Sequence, residues 1–297
     1  MEIQTAPAKK IVHNITGGSD EWFGLDFNMN IYRGCNHGCI YCDSRSLCYQ
    51  NPDFDTIKPK ENALQIVRDD LRRKAKKGVV ASGAMSDPYN PLEAKLNLTR
   101  NSLELINAFG FGASITTKSA LVERDGDVFA DIQTHSPVLV KLSITAADDA
   151  LVRLIEPNVS TATQRFDAIA KLSSKGVFCG VLMSPVLPFI TDTDENILSI
   201  VRMAKDAGAK FVYTYFGMTL RAGNREHFYN ALDKTMPDIK EKYIKRFGGR
   251  YNCQSPRSKQ LWRLLADECE RLGLIYDMRA VIQNYKAGYE SRQLSFL

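Results

Sequence analysis

No run of this 297-residue sequence approaches the roughly 20 consecutive apolar residues that a membrane-spanning helix requires, so no membrane partner is expected. The first residues, Met1 to Asn14, carry lysines but no apolar centre, which argues against a secretory leader. Internal repeats and low-complexity linkers are missing too, leaving a single domain as the simplest organisation. Cysteine is too sparse for a disulfide scaffold: there are 7 in the whole chain, and Cys48, Cys179, Cys253 and Cys269 are scattered. That usage suits a reducing compartment, and a cytoplasmic location is expected. A composition of 44% hydrophobic and 25% charged residues is an ordinary globular profile, long enough to bury a sizeable core. The net charge of +5 is compatible with a nucleic acid or another polyanion without identifying one. The densest basic run, Arg72 to Lys77, reads as the last turn of a helix capped by Gly78.

The remaining cysteines are concentrated. Gly34-Cys35-Asn36-His37-Gly38-Cys39-Ile40-Tyr41-Cys42 places three thiols in the spacing C-x3-C-x2-C, with glycine before the first and before the second. A short loop of this kind can turn three sulfurs onto one inorganic centre. No fourth cysteine follows closely, as it does in four-cysteine ferredoxin runs. A [4Fe–4S] cluster with one iron left open suits such a set. The competing arrangement is a zinc site with His37 as fourth ligand, which the position of His37 between two of the cysteines makes strained.

Alternating patterns follow the loop. Strands are expected at Met29–Tyr32, Val79–Ser82, Ala113–Thr117, Val138–Thr145, Val177–Val186 and Phe211–Phe216. Helices are expected at Asn62–Lys77, Thr99–Phe109, Thr161–Ser174 and Asp194–Ala207, with a poorer one broken around Gly126. Thr161-x-x-Gln164 is a capping-box pattern. This rhythm implies parallel βαβ units and an α/β fold, with functional groups gathered at the strand C-terminal ends. After Asn224 the alternation stops, and two helices are expected at Glu226–Phe247 and Pro256–Leu272.

C-x3-C-x2-C with Tyr41 just before the last cysteine resembles the signature of the radical S-adenosylmethionine (SAM) enzymes. The resemblance, like the strand–helix rhythm, implies a partial (β/α)6 TIM-type barrel over residues 1–222; the change of pattern after Asn224 adds a helical C-terminal extension over 223–297 packed on it. It further implies that Cys35, Cys39 and Cys42 ligate a [4Fe–4S] cluster whose open iron binds SAM, with Tyr41 beside the adenine. A flavodoxin- or ferredoxin-type reductant is the implied electron donor. The run Ser86-Asp87-Pro88-Tyr89-Asn90-Pro91 with Glu93 and Leu98-Thr99-Arg100 is similar to the spore photoproduct lyase branch, often called DNA-repair-photolyase-like. Thr117-Lys118, Ser143, Glu156-Pro157 with Arg165, Pro185-Val186-Leu187-Pro188 and Thr191-Asp192 extend the likeness over roughly residues 30–192. By this resemblance Ser86, Asp87, Lys118 and Ser143 contact SAM. On the residues alone, Ser-Asp-Pro is also a good turn, and Glu156 with Arg153 or Arg165 reads equally well as an ion pair shaping the loop.

The departures bear on the reaction. Spore photoproduct lyases carry a hydrogen-donating cysteine two residues before the Ser-Asp pair and a tyrosine after the third cluster cysteine. Here those positions are Ala84 and Asp43, neither of which can return a hydrogen atom as a thiol or phenol does. Cys48, Cys179 and Cys253, and the phenols Tyr89, Tyr213 and Tyr215, are the other redox-capable groups, with packing as their default role. The expected activity is therefore reductive SAM cleavage followed by hydrogen abstraction from a substrate. That substrate is a nucleic acid on the resemblance, or a small molecule or peptide given the missing donor. A non-catalytic iron–sulfur or zinc protein is the alternative of another class.

Overall fold

The β-branched runs become strands, and most of them join one sheet. A computed structural model describes residues 3–16 and 21–289. Its strands are β1 (Val12–Asn14), β2 (Phe27–Met29), β3 (Tyr32–Arg33), β4 (Lys58–Pro59), β5 (Val79–Ser82), β6 (Gly112–Thr117), β7 (Val138–Ser143), β8 (Cys179–Met183), β9 (Val212–Thr214), β10 (Gly217–Thr219) and β11 (Asn252–Gln254). The helices are α1 (Ala63–Arg72), α2 (Glu93–Leu96), α3 (Leu98–Ala108), α4 (Gly126–Gln133), α5 (Asp149–Ile155), α6 (Ala162–Ser174), α7 (Asp194–Asp206), α8 (Asn224–Thr235), α9 (Pro237–Phe247), α10 (Ser258–Leu272) and α11 (Met278–Lys286).

The main sheet has the order β1-β2-β5-β6-β7-β8-β9. From β2 to β9 every pairing is parallel, while β1 runs antiparallel on the edge. This is the six-strand parallel set expected of a partial barrel, and β1 and β9 remain its two edges among the described residues. Strands β5, β7 and β8 are buried at every position, as strands covered on both faces must be. Along β7 the two faces separate by alternation. Val138, Val140 and Leu142 join the large core shared with the helices, while Leu139 joins Phe23, Val79, Phe211 and Tyr285 in a second cluster. Val79, Leu139 and Phe211 lie at strand beginnings, so this second cluster closes the N-terminal end of the sheet. Helix α11 completes that plug: the Tyr285 hydroxyl donates to Phe23 O at 2.7 Å and Lys286 Nζ to Gly24 O at 2.6 Å.

Several boundaries differ from the pattern-based expectation, each for a local reason. Strand Met29–Tyr32 is in fact two: β2 stays in the sheet, while β3 leaves it to pair with β4. Helix α1 stops at Arg72, and Gly78 is not its left-handed cap. Two of the three lysines beyond Arg72 instead lie on aromatic faces, Lys74 over Phe27 at 4.4 Å and Lys77 over Phe111 at 4.4 Å. The helix expected at Glu226–Phe247 is broken by Pro237, which opens α9 at its first turn. The antiparallel pair β10–β11, whose strands are separated in sequence by α8 and α9, and helix α11 carry too little periodicity to be anticipated. Residues 290–297 of the expected C-terminal extension lie outside the described residues. The capping box at Thr161 is present as expected, and no described helix is long and apolar enough to cross a membrane.

Lys141, on the Leu139 face of β7, is 1% exposed. Its amine meets the Ser114 hydroxyl and lies 4.9 Å from the Phe23 ring centroid. With no carboxylate beside it, burial lowers its pKa from 10.5 to about 7. Between these values the unfolded chain holds the proton and the folded chain does not, so stability rises as pH climbs through that window. Below about pH 7 the full cost applies, on the order of 5 kcal/mol. Urea unfolding from pH 7 to 10 should therefore show stability increasing with pH in the parent chain and much less so in Lys141→Met. Equal slopes would show that the amine reaches water.

Candidate functional site

The cysteine loop leaves β3 through two turns that only glycine accommodates. Gly34 has φ +79°, and a Cβ there would come within 2.2 Å of Thr56 O. Gly38 has φ +70°, and a Cβ there would press on Pro157 Cγ at 2.9 Å. The glycine before each of the first two cysteines is thus a packing requirement. Cys35 N donates to Phe54 O at 2.7 Å, and Ile40 N to Ile155 O at 3.0 Å. Asn158 secures the loop's other side, its amide donating to His37 O at 3.1 Å and its side chain to Asn36 O at 2.9 Å. Residues 155–158 therefore clamp the loop.

Beneath the loop lies a buried charge cluster. The Tyr41 hydroxyl donates to Glu156 Oε1, and Arg165 Nη2 donates to Glu156 Oε2 at 2.5 Å. Arg165 also donates to Ser143 O at 2.6 Å and to Ser160 O at 2.8 Å. Glu156 and Arg165 are 1% and 0% exposed. Burial raises the Glu156 pKa, but the nearby charges of Arg165 and Lys118 outweigh it and hold the carboxyl below its ordinary value. Burial likewise pulls Lys118 down, and the neighbouring Cys39 sulfur and Glu156 carboxylate outweigh it, so the amine is held above its ordinary value. The Cys39 thiol is pushed up by burial, with Lys118 opposing. The ion pair expected between Glu156 and Arg165 is present, and its connection to Tyr41 was not anticipated.

A cleft of about 110 Å³ opens at the C-terminal ends of β5, β6 and β7. It is lined by Cys35, Cys39, Cys42, Asp87, Lys118 and Ser143, so residues from four separate segments converge there. Ser86 also lines it, with its hydroxyl donating to Tyr32 O at 3.0 Å. Asp87 acts as the hub. It accepts from Thr117 Oγ1 at 2.6 Å, Tyr89 N at 2.9 Å and Lys118 N at 2.8 Å, and stands 3.5 Å from His37 Nδ1. Tyr41 is buried under the loop, 5.8 Å by its ring centroid from Lys118 Nζ, and does not line the cleft itself. Of the alternative hydrogen donors, Cys179 and Cys253 are buried with sulfurs on Ile169 O and Arg250 O, and Cys48 is exposed beside Arg221. Tyr89 is core, bonded to Asp125; Tyr215 bonds Asn252, and Tyr213 packs on Phe23. Ala84 lines the cleft and Asp43 accepts from Tyr49 and Thr219, so neither position supplies a thiol or phenol.

All three loop cysteines are free thiols. Among the described residues no three His, Cys, Asp or Glu side chains converge closely enough to hold a single metal ion, which leaves the zinc arrangement with His37 without a preformed site. A cluster takes one cysteine sulfur per ligated iron, so its thiolates stand around open space rather than close on one ion. Cys35, Cys39 and Cys42 lie around the cleft in this way, so these residues fit a [4Fe–4S] group.

A family profile, Radical SAM superfamily, matches residues 29–201. The chain belongs to the radical SAM superfamily. Members typically use a [4Fe–4S] cluster and SAM, the group whose fit the cleft supports. This radical SAM chain is 34% identical over 224 residues to Uncharacterized protein Rv2578c of Mycobacterium tuberculosis, covering 73% of itself and 66% of that protein. It is 33% identical over 177 residues to Uncharacterized protein MJ0683 of Methanocaldococcus jannaschii, covering 59% of itself and 65% of that protein. The chain thus spans just under two thirds of these relatives' lengths. Its fold is similar to a solved spore photoproduct lyase complexed with dinucleoside spore photoproduct, with TM-score 0.61 at 15% identity, covering 84% of this chain and 74% of that one. It is also similar to the radical SAM methyltransferase TsrM from Kitasatospora setae, solved with cobalamin and a [4Fe–4S] cluster bound, with TM-score 0.52 at 11% identity, covering 82% and 50%.

Removing one partner of a fully buried ion pair costs about 3–5 kcal/mol. Glu156→Gln should lower unfolding stability by about that amount and loosen the cysteine loop, seen as faster amide exchange at Ile40. Unchanged exchange would show that the loop is held without Glu156.

Proposed function

We propose that this chain is a catalytic radical SAM enzyme that abstracts a hydrogen atom from a nucleic acid. The observation that carries the catalytic part is the convergence of the three loop thiols with Lys118, Asp87 and Ser143 on one cleft at the strand ends. When bound, the cluster supplies the electron that cleaves SAM to methionine and a 5′-deoxyadenosyl radical. The chain's own residues do the rest. Cys35, Cys39 and Cys42 would ligate the cluster, which would bind SAM through its amino and carboxylate groups. Lys118, kept charged by its surroundings, neutralises the SAM carboxylate or contacts the ribose. Ser86 and Ser143 offer short hydroxyls, and Asp87 fixes the Lys118 backbone so that its amine reaches the cleft. The Glu156–Arg165–Tyr41 cluster holds the loop against these strand ends. A flavodoxin- or ferredoxin-type donor would supply the electron.

Two observations support a nucleic-acid substrate: the excess of 39 Lys and Arg over 34 Asp and Glu, and the likeness in fold to a lyase solved with a dinucleoside lesion. Ala84 and Asp43 exclude the thiol–phenol return of hydrogen, so the product radical must be quenched differently. Anaerobic reconstitution should yield about four irons and four sulfides per chain. Dithionite should then release 5′-deoxyadenosine from SAM. Lys118→Met should weaken SAM binding about tenfold or more, the usual loss when a hydrogen bond to a charged group is removed. Intact deoxyadenosine release after alanine replacement of the three cysteines would overturn the catalytic reading. Duplex retention should fall steeply with salt as counterions are released; no retention of DNA or RNA at low salt would redirect the substrate to a small molecule or peptide.

A further inference from the structure

A second cavity, of about 300 Å³, adjoins the cleft and shares Ser44, Phe54, Met85 and Ser86 with it. One side of it is lined by Tyr32 and Arg33 of β3, which pairs with β4 outside the main sheet, and by Lys60 just beyond β4. Two cations line it, Arg33 and Lys60. Neither has a carboxylate partner among the described residues. The Arg33 guanidinium reaches only neutral acceptors, Asn51 Oδ1 at 3.3 Å and Gln50 O at 3.1 Å. The Lys60 amine is held below its ordinary value by burial and by Arg33 itself, with no anion opposing. By contrast, neighbouring Lys58 and Arg45, outside the cavity, are paired with Asp53 and Asp55. Asn30, at the end of β2, also lines the cavity, and its Oδ1 is buried without a hydrogen-bond partner.

Two mutually repelling cations and an orphaned carboxamide oxygen have the same remedy, a ligand that brings an anion and a donor together. The charge-assisted bonds such an anion makes to a guanidinium and an ammonium are among the stronger polar contacts. We infer that this cavity is a substrate subsite for a phosphate or carboxylate group carrying a neighbouring N–H or O–H donor, with Arg33 and Lys60 binding the anion and Asn30 the donor. The inference rests on the proposed reading only in calling the ligand a substrate. Anion binding itself requires no SAM cleavage, so the two can fail separately. Because the cavity and the cleft share Ser44, Phe54, Met85 and Ser86 as lining, a group anchored there lies directly beside the reacting centre.

The test is calorimetric titration of the reconstituted full-length chain at low ionic strength with inorganic phosphate, and separately with acetate. Saturable binding of either anion in the millimolar range supports the subsite, and the tighter of the two names the group. The Arg33→Gln/Lys60→Gln double variant should weaken that binding at least tenfold, while Lys58→Gln should leave it within twofold. Equal losses in both variants would reduce the effect to general surface charge and overturn the proposal. So would binding unaffected in the double variant, or no binding in the parent. Phosphate should still bind when SAM is saturating; displacement by SAM would assign the cations to the cofactor instead.

Discussion

One buried carboxylate organises this end of the molecule. Glu156 is reached by the cysteine loop through Tyr41 and by helix α6 through Arg165, and Arg165 in turn fixes the backbone at the last residue of β7. A charge at that depth is tolerable only with its partners in place. Through these contacts the pair ties the loop, the strand end and the helix to one point. The short segment after Glu156 uses this fixed point to brace Gly38 and to hold the carbonyls of Asn36 and His37.

Asp87 plays the matching part on the opposite side of the cleft. Its contacts to Thr117, Lys118 and His37 join the ends of β5 and β6 to the loop. Between them, the two carboxylates position groups drawn from across the chain. The other end of the sheet is closed by Phe23 and α11. The cleft and the adjoining cavity lie at the opposite, C-terminal face of the strands.

Much of this was legible in sequence, for reasons that are local. The three thiols and their glycines are contiguous, and the spacing states their geometry directly. The parallel strands stand out because burial on both faces forces short continuous apolar runs, as in Val138 to Val140, even though Lys141 interrupts this one. The ion pair of Glu156 with Arg165 is 9 residues apart in sequence and could be weighed from it. Contacts over longer separations could not: Tyr41 to Glu156 spans 115 residues and Ser86 to Tyr32 spans 54. The departure of β3 from the sheet was hidden for a related reason, since Met29 to Tyr32 is apolar throughout except at Asn30 and shows no break. The cations of the second cavity were equally silent, because a lysine or arginine reveals that it lacks a counter-ion only once its neighbours are placed.

The central claim is that three cysteines hold a cluster with one iron free to take SAM. Electron paramagnetic resonance of the dithionite-reduced, reconstituted chain, with and without SAM, tests it most directly. Binding of the amino and carboxylate groups at the free iron should shift the cluster's g-values and relaxation. A spectrum identical in both conditions, at SAM concentrations that saturate the protein by an independent assay, would contradict it.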